Sequence, residues 1–272
     1  MSSAEHPTDR LRSPGYATDL GLLIRQGATV ESRPDYLVVR TPANPAYHWG
    51  NCLILDRAPQ PGSVASWVEA FRREHPTAEH VALGIDATEV AIDPAEAASA
   101  GVALEQDVVL VTDQLDSAPV PDGFSLRELD PADPEQWAAL VSMELEDLDE
   151  PGRTESHADF LTRRFAGHRA LAEAGHGGWF AAYALDGRPV ASLGIFATGA
   201  DRWRYQQVIT HPDFRRRGIA GALLRYAGAR ACASGARELV IVADLTGPAI
   251  GLYRRAGFRD AVPQWALYAP SA

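Results

Sequence analysis

A strand that runs into a triple-arginine turn and then straight into a helix constrains this chain more than any other feature. Residues 206–224 read QQVITHPDFRRRGIAGALL. The apolar pair Val208-Ile209 ends at His211-Pro212. Beyond Arg215-Arg216-Arg217-Gly218, the residues Ile219, Ala222, Leu223 and Tyr226 recur at i, i+3, i+4 and i+7, the spacing of a helix face. The first turn of a helix presents unpaired backbone N–H groups and the positive pole of the helix dipole. The stretch is therefore an anion site, suited above all to phosphate. Gly218 lets a ligand approach the backbone, and Ala220 keeps the next turn bare.

This segment resembles motif A of the GNAT superfamily of acyl-CoA-dependent N-acyltransferases, a Gln/Arg-x-x-Gly-x-Gly/Ala pattern. Here it stands as Arg215-x-x-Gly218-x-Ala220. The resemblance implies that Arg215, Arg216, Arg217, Gly218, Ile219 and Ala220 cradle the pyrophosphate of coenzyme A. It also implies that backbone groups of Val208, Ile209 and Thr210 hold the pantetheine arm. A second match lies downstream, where RELVIVADLTGPAIGLYRRAGF spans 237–258. Leu239 to Ala243 is a continuous apolar run, as in a strand buried on both faces. Thr246 is expected to cap a short helix, and Gly257 suits its left-handed end. Leu252-Tyr253-Arg254-Arg255-Ala256-Gly257-Phe258 resembles the family's Leu-Tyr-x-x-x-Gly-Phe signature. By that resemblance Tyr253 donates the proton to the departing thiolate, a role open to a phenol of pKa about 10. Many relatives carry Asn where this chain has Thr246, which keeps an oxygen for the cofactor and loses the amide.

The order of elements extends the resemblance to about residues 122–270. A strand is expected at Phe124–Leu129, and helices at Pro134–Leu148 and His157–Ala172. Strands follow at Trp179–Leu185 and Pro189–Ala197, joined by the hairpin turn Asp186-Gly187, and then at Trp203–Ile209. The fold class is thus α/β (α+β): a GNAT-like mixed, mostly antiparallel sheet flanked by helices. Asp116–Gly123 reads as a linker, which places the catalytic domain at 119–272 and an N-terminal domain at 1–118.

The N-terminal half echoes the C-terminal half. AGVALEQDVVLV (100–111) aligns with AGFRDAVPQWAL (256–267) at constant offset, and HVALGID (80–86) stands where RELVIVAD (237–244) stands. Strand–helix–strand–helix–strand is expected twice, the first time through Cys52–Leu55, Ser63–His75 and Pro94–Ala100. The first-half turn, Asp56 to Ser63, lacks the arginine–glycine pattern. Its Pro59 and Pro61 remove backbone donors. The expected first domain is a smaller degenerate GNAT-like module without a cofactor site, preceded by a frayed tail at 1–16.

Charge and composition narrow the partners. Residues 1–120 hold 8 Arg against 17 acids and residues 121–272 hold 17 Arg against 19, within a net charge of −11. An acidic first half argues against nucleic acid, which needs a basic footprint. Every one of the 25 basic residues is Arg, so no Lys side chain is available for self-acetylation. No apolar run is long enough for a membrane span, and the N-terminus lacks a hydrophobic signal core. Cys52 and Cys232 sit in no metal-ligand spacing. A reduced, cytoplasmic, metal-free protein is expected, its oligomeric state left open.

Glu144, Glu146, Asp147, Asp149 and Glu150 fall between the first two helices of the C-terminal domain. In GNAT-like folds that connection borders the acceptor cleft, so these acids are expected to attract a cationic amine. A solvated helix end explains the same run. The sequence therefore points to an N-acetyltransferase that moves an acetyl group from acetyl-CoA to a small cationic amine by direct attack. Candidate bases are Glu144, Glu146, Asp147 or a water beside Gln206. A protein N-acetyltransferase and a non-catalytic acyl-CoA-binding regulator are the alternatives.

Overall fold

The computed structural model describes residues 7–147 and 155–271, so Asp149 and Glu150 lie outside the described residues, as does the side chain of Asp147. The elements run α1 (Pro14–Arg25), β1 (Thr29–Ser32), β2 (Tyr36–Arg40), β3 (Cys52–Leu55), α2 (Val64–Glu74), β4 (Val81–Ile85), α3 (Pro94–Ser99) and β5 (Ala103–Thr112). They continue with β6 (Phe124–Glu128), α4 (Pro134–Asp147), α5 (Glu155–Glu173), β7 (Gly177–Ala184), β8 (Pro189–Ala197), β9 (Arg202–Thr210), α6 (Ile219–Ala233), β10 (Glu238–Asp244), α7 (Ile250–Ala256), β11 (Arg259–Asp260) and β12 (Gln264–Ala269). The order from β6 onward follows the sequence expectation. So does the doubled motif, seen as β3-α2-β4-α3-β5 and β9-α6-β10-α7-β12. The fold is a mixed, mostly antiparallel sheet architecture flanked by helices.

The chain divides into two compact units. One comprises Met1–Leu110 with Val242–Ile250 and Asp260–Ala272; the other comprises Val111–Ile241 with Gly251–Arg259. In the first unit β3 and β4 are parallel along the whole of their registered length, Leu53 opposite Leu83, Ile54 opposite Gly84 and Leu55 opposite Ile85. Both strands are buried throughout, as their unbroken apolar sequences require. The last strand of the chain, β12, lies antiparallel between β4 and β5. The C-terminal residues therefore complete the first unit's sheet.

From Pro7 onward the chain departs from the frayed tail expected at 1–16. Pro14 starts α1, a position where its missing N–H costs nothing. The Asp86 carboxylate accepts the backbone N–H groups of Arg12 and Ser13, each at 2.8 Å. Tyr16 lies over Gly84, where an added Cβ would stand 2.7 Å from the Tyr16 ring. These contacts bury one face of α1, with Leu20 and Leu23 beside Tyr16 in the core. The tail expected at 1–16 thus overlaps the first turn of a packed helix.

In the second unit the strands run β10-β9-β8-β7-β6. β9 and β10 are parallel and the other pairs antiparallel. Gly187, at φ 84, closes the β7–β8 hairpin. Cross-strand partners share a face, so Trp179, Gly194 and Gln206 lie on one side of the sheet. Helices α4 and α5 cover that side, where Trp137 and Phe165 pack on Trp179 at ring distances of 6.1 and 5.0 Å. The opposite side carries α6, whose Tyr226 meets Phe180.

Candidate functional site

The site forms where β9 ends and α6 begins. The register joins β10 to β9 only from Arg202 to Arg204. From Tyr205 to Thr210 the ladder partner of β9 is β8 alone. Val208, Ile209 and Thr210 are half-buried. Their strand backbone offers an unladdered side to an extended ligand.

β9 is also bulged. Gly194 pairs with Gln206 and Ser192 pairs with Ile209. One residue of β8, Leu193, therefore faces two of β9, Gln207 and Val208. Gln207 takes φ 41. Such a bulge bends its strand and frees a backbone group from the ladder. Sequence reading singled out Gln206 and passed over Gln207. The available signal was a pair of amides directly before the apolar pair Val208-Ile209.

His211, Pro212, Asp213 and Phe214 form a single 3-10 turn after β9. Arg216 and Gly218 both adopt left-handed backbone, φ 63 and φ 81. Alternating backbone of this kind curves successive N–H groups around a concave anion nest. Gly218 is the N-cap of α6, and its carbonyl accepts the Ala222 N–H at 3.1 Å, opening the helical ladder. The N–H groups of Ile219, Ala220 and Gly221 are left without intrahelical acceptors. Arg215 ties the turn to the strand by donating Nε to the Thr210 carbonyl at 3.0 Å. Arg217 donates to the Asp213 carbonyl and lies over the Phe214 ring, 5.1 Å from its centre. All three arginines are exposed. The structure thus brings all six expected turn residues into one cationic cradle.

Tyr253 sits on α7, which packs against the start of α6. Gly221 is bare there, and an added Cβ would stand 3.3 Å from Leu252. Arg225 reaches from α6 to the Arg255 carbonyl at 3.3 Å. The Leu-Tyr-x-x-x-Gly-Phe signature acquires a structural meaning. Phe258 donates its N–H to the Tyr253 carbonyl and Gly257 donates to Arg254, both at 3.1 Å. With Gly257 at φ 107, this is a Schellman cap. The Tyr253 and Phe258 rings meet at 6.2 Å. Tyr253 is 4% exposed, and burial pushes its phenol up to about 12.

Thr246 departs from its expected capping role. Its N–H and hydroxyl both donate to Asp244 Oδ1, at 2.7 and 2.8 Å. The helix begins four residues later at Ile250. The local Asp-x-Thr turn takes the hydroxyl that the cap needed. Thr246 itself is exposed and belongs to the segment 242–250 of the first unit.

Of the acidic segment, Glu144 is half-buried and accepts the Gln207 Nε2 at 2.7 Å. Glu146 is exposed and stands 3.6 Å from His211 Nε2. Asp147 ends α4. Among the described residues no group of three or more His, Cys, Asp or Glu side chains is placed to hold a metal ion, and no helix is long and apolar enough to cross a membrane.

Residues 175–260 match the family model for the acetyltransferase (GNAT) domain. Three solved structures resemble the chain over nearly its whole length. A GCN5-related N-acetyltransferase from Kribbella flavida is 18% identical, with 94% of each chain covered and a TM-score of 0.62. Another from Sphaerobacter thermophilus is 18% identical, covers 93% of this chain and 85% of its own, and has a TM-score of 0.60. A tandem GNAT protein from the clavulanic acid biosynthesis pathway is 14% identical, covers 97% and 94%, and has a TM-score of 0.55. No curated protein matches the sequence. The family match thus marks residues 175–260 as similar to a GNAT acetyltransferase domain, and the three solved structures share the fold of the chain.

Proposed function

We propose that this protein transfers an acetyl group from acetyl-CoA to the primary amine of a small cationic molecule. The observation that carries the reading is the pairing of a partly unladdered β9 with the turn 215–218 and the open N-terminus of α6. A cofactor with an amide-bearing arm and a pyrophosphate needs hydrogen-bond partners along a strand edge and then an anion nest, in that order. Gly218 leaves room for it, since an added Cβ meets nothing nearer than Pro121 Cγ at 3.7 Å.

Acetyl-CoA, when bound, supplies the reactive thioester. The residues of this chain do the rest. Arg215 to Ala220 hold the phosphates, and the backbone of Val208, Ile209 and Thr210 orients the arm. A backbone N–H freed at the bulge polarises the carbonyl oxygen. The Tyr253 hydroxyl, protonated at any working pH because burial raises its pKa to about 12, holds its proton until charge develops on the leaving sulfur. Glu144 and Glu146 give the acceptor side a negative field.

A free-thiol release assay with acetyl-CoA across polyamines, amino sugars and lysine-containing peptides tests the reading. Turnover confined to small cationic amines supports it. Preference for the peptides favours a protein substrate, and tight acetyl-CoA binding without turnover on any amine overturns the transferase reading.

A further inference from the structure

Gln207 holds a left-handed backbone conformation, φ 41, which is strained for a non-glycine residue. The surrounding structure gives that strain a purpose. The bulge directs the side chain toward α4, where its amide Nε2 donates to Glu144 Oε1 at 2.7 Å. The amide's other end, Oε1, is buried with no hydrogen-bond partner. A buried acceptor of this kind is destabilising unless something donates to it. Beside a carboxylate, the matching donor is a group with several N–H bonds and a positive charge. A primary ammonium has three such donors and a hydroxyl has one.

We propose that Glu144 is the base for the acceptor and Gln207 its positioning residue, a reading that rests on the proposed amine acetylation. The ammonium donates to Glu144 and to Gln207 Oε1 together. Glu144 takes one proton, and the freed nitrogen lone pair forms the N–C bond to the acyl carbon as the C–S bond breaks. The sulfur takes the Tyr253 proton, the new amide nitrogen gives up its surplus proton through solvent to the Tyr253 phenolate, and Glu144 releases its proton to solvent. Gln207 Nε2 fixes the carboxylate and favours its charged form, since a hydrogen bond to the charged state lowers a carboxyl pKa. Among the described acids of this segment, Glu144 is the one joined to the bulge; Glu146 meets His211 farther along. Three of the other ionisable groups on α5 and β9 make contacts of their own. His168 is stacked on Phe196, Arg164 lies over Phe160, Arg204 donates to the Tyr205 carbonyl, and β8 carries none.

The test is kcat/KM against pH for wild type, Glu144→Gln, Gln207→Met and Gln207→Glu, with the best amine of spermidine, glucosamine and a lysine tripeptide. His211→Asn serves as the control for the nearby imidazole, and calorimetry gives acetyl-CoA affinity for every variant. Glu144→Gln lowers kcat/KM by about 10²–10⁴-fold with acetyl-CoA affinity retained. Gln207→Met moves the acidic limb to higher pH by about one unit, and Gln207→Glu moves it farther, because a like charge now faces the base. Glu144→Gln at wild-type kcat/KM overturns the base. An unmoved acidic limb in both Gln207 variants, with normal acetyl-CoA affinity, overturns the positioning role while amine acetylation stands. A wild type that turns over none of the amines overturns the amine reading and this one with it.

Discussion

Ser13 donates its backbone N–H to the Asp86 carboxylate at 2.8 Å, joining the start of α1 to the carboxyl end of β4. Arg12 completes the closure by donating Nη1 to the carbonyls of Asp56 and Asp86. The chain's own N-terminal segment thus covers the ends of the parallel pair β3 and β4. The repeat offset sets Ala97, buried and without a hydroxyl, opposite Tyr253. Coenzyme A is therefore expected to bind once per chain. Asp86→Ala should leave that stoichiometry unchanged and lower the unfolding free energy by about 1–3 kcal/mol, since it orphans two N–H groups at a largely buried site. Calorimetry and urea unfolding give the two numbers; a second equivalent site in wild type contradicts the closure.

Gly218→Glu should abolish measurable acetyl-CoA binding. The position holds φ 81 with no nearby clash, so the damage comes from backbone strain and from a carboxylate facing the phosphates. Gly218→Ala, which adds strain without charge, should fall between the two. Equal affinity in all three proteins with unchanged circular dichroism would remove the anion-site assignment.

The legible parts of this fold are those where local pattern and tertiary use agree. The turn at 215–220 could be read because a glycine, an arginine run and a helical stripe each act locally. Tyr253 could be read because its signature is a helix cap, set by residues within six positions. The place of β12 could not. Its pairing with β4 and β5 links residues more than 150 apart, and strand periodicity does not name a partner. Helix α1 was hidden because its N-terminal anchor is Asp86, far away in sequence. The Gln207–Glu144 bond was hidden because a bulge changes which face a side chain takes.

Tyr253→Phe should lower kcat by about 10²–10⁴-fold and leave acetyl-CoA affinity and stability close to wild type. The ring, its contact with Phe258 and the carbonyl in the cap all survive the change. A second consequence follows from the phenol's pKa of about 12. Deprotonation of Tyr253 should produce no fall in wild-type kcat below pH 10. A wild-type rate in the Phe variant would reduce Tyr253 to a core aromatic.

Acid should weaken the fold through its buried histidines. Burial pushes His168 down to about 3 and His48 down to about 4, and His48 also feels the stacked His80. The unfolded chain takes these protons near pH 6.5. Above that pH the stability is complete; it declines as pH falls from about 6.5 through about 4 for His48 and about 3 for His168. His168 alone accounts for about 2 kcal/mol lost at pH 5 relative to pH 8. His168→Phe keeps the stack on Phe196 and has nothing to titrate. Urea midpoints for both proteins at the two pH values check this, and an equal acid loss in the variant contradicts it.

Glu146 offers a separate handle on the acceptor's charge. It is exposed, at the end of α4, with the His211 imidazole 3.6 Å away. An exposed carboxylate acts at a distance, by raising the local concentration of cations, and contributes little once ions screen it. Glu146→Gln should therefore raise KM for a cationic amine severalfold near 10 mM salt and by much less near 150 mM, where the Debye length falls to about 8 Å. The KM for acetyl-CoA, an anion, should stay level or fall. Glu144→Gln should behave differently, because a half-buried, hydrogen-bonded carboxylate is shielded from salt and its loss persists at both ionic strengths. Steady-state kinetics of the two variants at both salts separates field from contact. If Glu146→Gln matches wild type at low salt, the acceptor is not drawn in by charge. The exposed acids of this segment are then a solvated helix end.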